Sequence, residues 1–312
     1  MEFFNPKNSS INFTKVFKPF LILSTVLSIL CLFGIFGKPG LNYGIDFRGG
    51  VEVHLNFAKE SNVDIKTLRE TFEGKLQGLS VQNFSGTDSN SYLLNTQRDS
   101  KDDVSKIVKD TLNAKFGTES DTTWKLAQMD SVGRKVGSDF KKSALLSLLY
   151  TCLLVTAYMY WRFDARFVPG AIACILHDLI ITSGVLVLTQ GEFSTTVVAA
   201  LLTLAGYSIN DTVVVYDRIR EVEGKFLGKD KEFIVNYAIN STLSRTIMTA
   251  GTTLIATLVL FFLGGPTLKE FSYSLFVGII VGTYSSGLIA APLYLWADKK
   301  FAHKSTSDLV KA

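Results

Sequence analysis

Apolar positions in this chain gather into six stretches nearly free of charge: residues 19–37, 143–160, 167–189, 193–216, 246–264 and 271–297. A hydrocarbon core of about 30 Å takes about 20 apolar residues to cross as a helix, and each stretch is close to that length or longer. Six membrane-spanning helices are therefore predicted. The fifth is extended back to 238–264, because its strictly apolar run alone is short. The first, "PFLILSTVLSILCLFGIFG", is longer than the core of a cleaved leader, and no A-x-A site follows it. It reads as a retained anchor.

Residues 38–142 carry a different pattern, that of one soluble domain of ordinary size. "GVEVHLNF" alternates as a half-buried strand does. "VDIKTLRETFEGKLQGL" puts Val63, Leu68, Phe72, Leu76 and Leu79 at helical spacing, with Asn62 as its cap. "VQNFS" and "SYLLNTQ" flank the turn signal "GTDSN". "KDDVSKIVKDTLNAKFG" is amphipathic again and stops at Gly117, and "TTWKLAQMDSVG" supplies a last strand. The expected fold is an α-helical membrane bundle of six spans. One α+β ferredoxin-like βαββαβ domain is inserted between spans 1 and 2.

Composition sharpens this picture in a few places. The chain has 312 residues, 47% hydrophobic and 19% charged, with a mean hydropathy of +0.25. Short loops on one side collect Arg162, Arg166, Arg218, Arg220, Lys225, Lys229, Lys231 and Arg245, and the same side takes Lys7, Lys15, Lys18 and the tail lysines. The two short loops opposite, "QGE" and "GGPTLKE", hold only Lys269. The positive-inside rule then puts both termini (1–18 and 298–312) and the 217–237 loop in the cytoplasm, and residues 38–142 outside. Sixteen Lys and Arg against fifteen Asp and Glu in that outer region give no electrostatic footprint for nucleic acid. Cys31, Cys152 and Cys174 all fall within predicted spans, so they read as small packing residues and support no disulfide framework.

The familiar catalytic signatures are missing. "GKFLGKD" lacks the spacing of a phosphate-binding loop, and neither a G-x-S-x-G element nor an H-E-x-x-H helix occurs. His54, His177 and His303 are scattered, so no metal site and no cofactor are expected. The chain reads as no enzyme, and any work it does draws on an ion gradient or a partner.

Candidate chemistry lies inside the spans, where an ionisable residue costs at least about 2.5–3.5 kcal/mol at the bilayer centre and marks a functional site by default. Asp211 in "GYSINDTVVVYDRIRE" comes one to two turns too early to be a boundary charge. It shares a helical face with Tyr207, Ser208, Val214 and Val215 and follows Asn210. Its alternative reading is a protonated or paired acid that packs helices. Arg245 is expected at a similar depth, on a stripe with Thr249, Thr252, Thr253 and Ala256. It is either a functional cation or a snorkelling anchor. His177 and Asp178 sit deep in the third span, about 100° apart on a helix, so they need not serve one partner. They read equally as a polar lock or as proton handling. The stripe Gly278, Gly282, Ser285, Ser286 and Ala290 in the last span suits close helix packing. Gly44, Gly49 and Gly50 in "NYGIDFRGG" suggest a connector fixing the domain's angle, a reading preferred over direct ligand binding by Asp46 or Arg48.

These same segments resemble the SecF branch of the SecD/SecF family, within the resistance-nodulation-division superfamily. The motifs are "GIDFRGG" after the first span, "VG" and "VG" at 132–137, "HD" in the third span, "GYSINDTVVVYDRIRE" in the fourth and "SRTIMTAGTT" in the fifth. The likeness implies a bacterial inner-membrane subunit that pairs with a SecD-like membrane subunit into a twelve-span assembly beside the Sec translocation channel. It also implies use of the proton-motive force late in secretion, with the outer domain holding the translocating polypeptide. Asp211 then stands at the position of the family's proton-carrying carboxylate, and Arg245 at that of its basic neighbour, so that an ionised Asp211 would pair with Arg245. Two rival functions stay open: an exporter of small molecules or lipids, and an assembly subunit in which Asp211 and Arg245 form a static lock.

Overall fold

The computed structural model describes residues 11–37, 40–58, 63–83, 90–97, 100–120 and 122–310. Helix α1 (Phe17–Phe36) leads through a short strand, β1 (Asn42–Tyr43), and one helical turn, α2 (Ile45–Arg48), into the inserted α+β unit. That unit runs β2 (Gly50–Phe57), α3 (Ile65–Phe72), β3 (Ser80–Asn83), β4 (Asn90–Thr96), α4 (Lys101–Phe116) and β5 (Trp124–Val132). Its four-stranded sheet has the order β3–β4–β2–β5, with every neighbouring pair antiparallel.

Alternation decides which face of the sheet is core. Val51, Val53, Leu55 and Phe57 of β2 pack with Leu68 and Phe72 of α3 and with Val104, Val108 and Leu112 of α4. Helix α3 is shorter than the sequence suggests. Asp64 accepts from the Thr67 amide at 2.7 Å and starts it, while Glu73 leaves the helix and Gly74 takes φ +76°. Leu76 is buried nonetheless, from the turns that follow. The expected Asn62 cap and most of the "GTDSN" turn lie outside the described residues.

The chain then forms α5 (Arg134–Arg162), α6 (Val168–Leu188), a strand β6 (Glu192–Phe193), α7 (Thr195–Lys225), α8 (Lys231–Leu263) and α9 (Gly265–Ser285). A π-turn, Ser286–Ala290, joins α9 to α10 (Ala291–Val310). Among the described residues six helices are long and apolar enough to cross a membrane: α1, α5, α6, α7, α8 and the continuous α9–α10. They divide by burial. More than half of the apolar window is buried in α6 and α9–α10, and half in α7, whereas α1, α5 and α8 turn most of theirs outward. Ile22, Leu23, Leu30 and Phe33 of α1 and Leu145 and Leu154 of α5 are examples of large apolar side chains left exposed, as lipid contact requires. At the end of the bundle away from the inserted unit, Arg166 bonds Asp298 at 2.8 Å and Glu223 at 3.0 Å, and Lys231 also pairs with Glu223. That cluster ties the α5–α6 loop to α7, α8 and α10.

Candidate functional site

Asp211 lies where α7, α8 and the α9–α10 turn meet. It is 8% exposed. Thr246 Oγ1 donates to its Oδ1 at 2.9 Å and Ser286 Oγ to its Oδ2 at 2.7 Å. The Ser286 hydroxyl has a second acceptor nearby, the Thr283 carbonyl at 3.2 Å. A carboxyl held by hydroxyls alone can take or release a proton without breaking a salt bridge.

The expected pairing with Arg245 is not found: among the described residues no ion pair joins Arg245 to Asp211. The reason is helical phase. Thr246 points at Asp211, and one residue is about 100° of rotation, so Arg245 faces outward and is exposed. Thr249 and Thr252 are exposed on the same side and return their hydroxyls to their own helix, at the carbonyls of Arg245 and Met248. Asn210 is exposed on α7, next to the buried Asp211, and Tyr207 is half-buried in the apolar cluster around Leu204.

His177 and Asp178 do serve one network, against the expectation that they point apart. The imidazole folds back so that Nδ1 meets Asp178 Oδ1 at 2.8 Å. Ser208 of α7 and Ser285 of α9 donate to Asp178 Oδ2 at 2.6 and 2.9 Å. His177 Nε2 lies 2.5 Å from Ser24 Oγ of α1 and 3.2 Å from the Tyr284 hydroxyl. Asp178 is 0% exposed. Four helices thus converge on one carboxylate and its histidine.

Sequence reasoning placed Ser285 and Ser286 in a packing stripe; the structure makes them hydrogen-bond donors to two different aspartates. It missed Thr246 and Ser24 altogether. Thr246 sits beside Arg245 in "SRTIMT", where an i+1 neighbour of the charge was the available signal. Ser24 gives none, being one hydroxyl in an apolar span. The two glycines of the stripe are close-packing positions: a Cβ on Gly278 would run into Leu204, and one on Gly282 would come within 3.3 Å of Asp178 Oδ2.

The connector fastens the inserted unit to the start of α7. Asp46 Oδ2 accepts from the Thr195 amide at 2.8 Å and from its hydroxyl at 2.6 Å, satisfying an orphan donor of the helix N-terminus. Strand β1 pairs in parallel with β6, and the Gly44 amide donates to the Phe193 carbonyl at 2.9 Å. Glu192 presses against Gly44, where a Cβ would strike its carboxylate. Gly49 and Gly50 have φ of +72° and +128°, and a Cβ on Gly50 would overlap the Thr96 carbonyl. Arg48 is exposed. Between the sheet's open face and the bundle lies a cleft of about 450 Å³ lined by Glu52, His54, Glu192 and Glu270 among others. Burial, and next the nearby Glu52 carboxylate, push the Glu192 carboxyl up to about 8.

A multi-pass helical membrane protein with an α+β unit after its first span, and buried carboxylates between its core helices, defines the class. Residues 112–300 match the family described as protein export membrane protein SecD/SecF, C-terminal, and residues 34–59 match the SecD/SecF GG motif. The chain is 42% identical to the protein translocase subunit SecF of Calditerrivibrio nitroreducens, over 92% of this chain and 94% of that one. It is 37% identical to the subunit of that name in Desulfurispirillum indicum, over 88% and 87%. Among solved structures it is similar to SecDF of Thermus thermophilus, a translocon-associated membrane protein, with a TM-score of 0.84 and 32% identity. The match covers 94% of this chain and 39% of that longer one. The chain belongs to the SecD/SecF family.

Proposed function

We propose that this chain is the SecF-type subunit of a SecD–SecF assembly. It uses the proton-motive force to assist late stages of protein translocation through the Sec channel, in the bacterial inner membrane with both termini cytoplasmic. The observation that carries the proton role is Asp211, buried among three helices and hydrogen-bonded, among the described residues, to hydroxyls. Ionised, it draws Thr246 and Ser286 onto α7; protonated, it holds them less firmly, so that two packings of the bundle differ in energy. A local charge change acting on a two-state element is what coupling needs.

Arg245 belongs to a different part of this reading. With Asn210, Thr249 and Thr252 it forms an outward polar strip at the depth of Asp211, which lipid would cover only at a cost. A second membrane subunit of SecD type covers it, and its own carboxylate completes the proton site. The inserted unit is ferredoxin-like, a reading supported by the order β3–β4–β2–β5 and by two helices on one face. It lies outside, where it meets the translocating polypeptide.

Asp211→Asn, in cells lacking the native copy, is expected to lower proton-dependent secretion at least about tenfold, as loss of a coupling energy of ordinary size does. Normal secretion by that variant removes the proton role. Pulse-chase of a secretory precursor also separates the exporter alternative, in which precursor processing stays normal and only tolerance of toxic compounds falls. The static-lock alternative predicts that Asp211→Asn combined with Arg245→Gln retains activity. The absence of an ion pair between those two residues among the described ones tells against it.

A further inference from the structure

The proton reading leaves open how a carboxyl in α7 moves an outer unit that hangs from α1. The hydrogen bonds that Asp211 accepts come from α8 and the α9–α10 turn, and α1 is largely exposed on the bundle's outside. A continuous set of side chains nevertheless spans the gap. Ser286 donates to Asp211, and its chain neighbour Ser285 donates to Asp178. Asp178 meets His177, and His177 meets Ser24 of α1. Ser285 and Ser286 stand where α9 passes into the π-turn Ser286–Ala290, and such turns inside helices are a recurrent feature of functional sites.

The local geometry makes this junction a two-position element. Each serine hydroxyl has a carbonyl of its own helix as a second acceptor: Gly282 for Ser285 and Thr283 for Ser286, both at 3.2 Å. A hydroxyl that loses its hold on a carboxylate therefore keeps a partner, and the exchange leaves no buried polar group unpaired. Because the two serines are consecutive, a shift of backbone that releases one displaces the other. Ser208 adds a second tie, since it donates to Asp178 from α7, three residues before Asp211. Gly282 lets α9 approach Asp178, with room for a Cβ only at 3.3 Å from Oδ2.

At the far end, Ser24 is buried in a helix whose other faces are mostly open, and Gly184 of α6 lets Cys31 of α1 pack against the α6 backbone. Helix α1 then runs by its C-terminal end into the connector that carries β1, α2 and the sheet. We propose that Ser285, Asp178, His177 and Ser24 are positioning residues that transmit the state of Asp211 to α1, so that breaking this chain of bonds uncouples proton passage from polypeptide movement. The proposal rests on the proton reading of Asp211 given above and adds the route.

Uncoupling is measurable apart from loss of structure. The complete SecD–SecF-type complex, reconstituted in vesicles, is assayed for proton influx with an entrapped pH dye and for translocation of a secretory precursor in the same preparation. Ser24→Ala and Ser285→Ala are expected to keep proton influx within about twofold while translocation falls about tenfold, within the usual range of coupling energies. Ser24→Thr and Ser285→Thr, which retain the hydroxyl, restore translocation. A merely structural role lowers both readouts in proportion, and that result overturns the proposal, as does full translocation by both alanine variants. If Ser285→Ala fails to assemble, Ser24→Ala decides alone, because it removes a single hydroxyl at the far end of the chain of bonds, on a helix whose other faces are mostly open. Asp211→Asn run alongside separates the two levels. If it translocates normally, the proton reading itself falls. If it is inactive while Ser24→Ala stays coupled, only the route falls.

Discussion

Arg245 and Thr246 are adjacent in sequence and face different ways, one toward a polar outer strip and the other onto Asp211. A carboxylate and a guanidinium at similar depth invite a pairing on paper, but depth along two helices says nothing of rotation. A single residue of phase turns the cation away and brings a hydroxyl in. Glycine is easier to judge at this scale. Gly50 combines φ +128° with a Cβ position that would overlap the Thr96 carbonyl. Gly50→Ala is expected to destabilise the inserted unit by about 1–3 kcal/mol for the backbone strain, with the clash in addition. Denaturant titration of the purified protein, followed through the buried Trp124, reads that loss directly. Gly74→Ala has positive φ but open space around it, so its destabilisation is smaller.

Elements were legible where one physical pattern dominates. The six apolar runs come from the length and dryness of a bilayer, and "GVEVHLNF" reads as a strand because one face packs on α3 and α4 while the other looks into a cleft. What escaped the sequence lies between elements. The parallel pairing of β1 with β6 links residues about 150 apart, and two residues of strand leave no periodic trace. Asp46 read as part of a connector, and what the sequence did not show is that it accepts from the first amide of a helix far along the chain. Ser24 and His177 meet only after four helices have packed. At this junction Glu192 gives a pH dependence. Its carboxyl is raised to about 8 by burial and by Glu52, against about 4.3 for an unperturbed glutamate. A raised carboxyl contributes stability that is fully present below the unfolded value and is lost as pH climbs through the folded one. The β1–β6 junction should therefore loosen between about pH 4.3 and 8. Hydrogen exchange at the Gly44 amide, corrected for intrinsic rates, should show protection falling across that range. Glu192→Gln should flatten the profile and leave the junction tighter than in the unaltered protein at pH 9.

For the molecule as a whole, the decisive asymmetry is between faces that suit lipid and a face that does not. Exposed Leu145 and Leu154 on α5 and Ile22 and Leu30 on α1 are what acyl chains cover well. The α7–α8 side differs, with Gly206 and Asn210 on one helix and Arg245, Thr249, Thr252 and Ala256 on the other, all exposed. Small and hydroxyl-bearing side chains allow another helix to approach closely, and Arg245 and Asn210 need polar partners that hydrocarbon cannot supply. A SecD-type subunit docked there would put its own ionisable groups beside Arg245 and within reach of the Asp211 region, which explains why this chain holds a carboxylate and a cation at similar depth without pairing them. Thr252→Trp or Ala256→Trp should then block co-purification of the partner subunit while leaving this chain inserted and folded. Leu154→Trp, an equal increase in bulk on the lipid-facing α5, should leave assembly intact. Equal recovery of the partner with all three variants would place the docking surface elsewhere and leave Arg245 as a lipid-facing anchor.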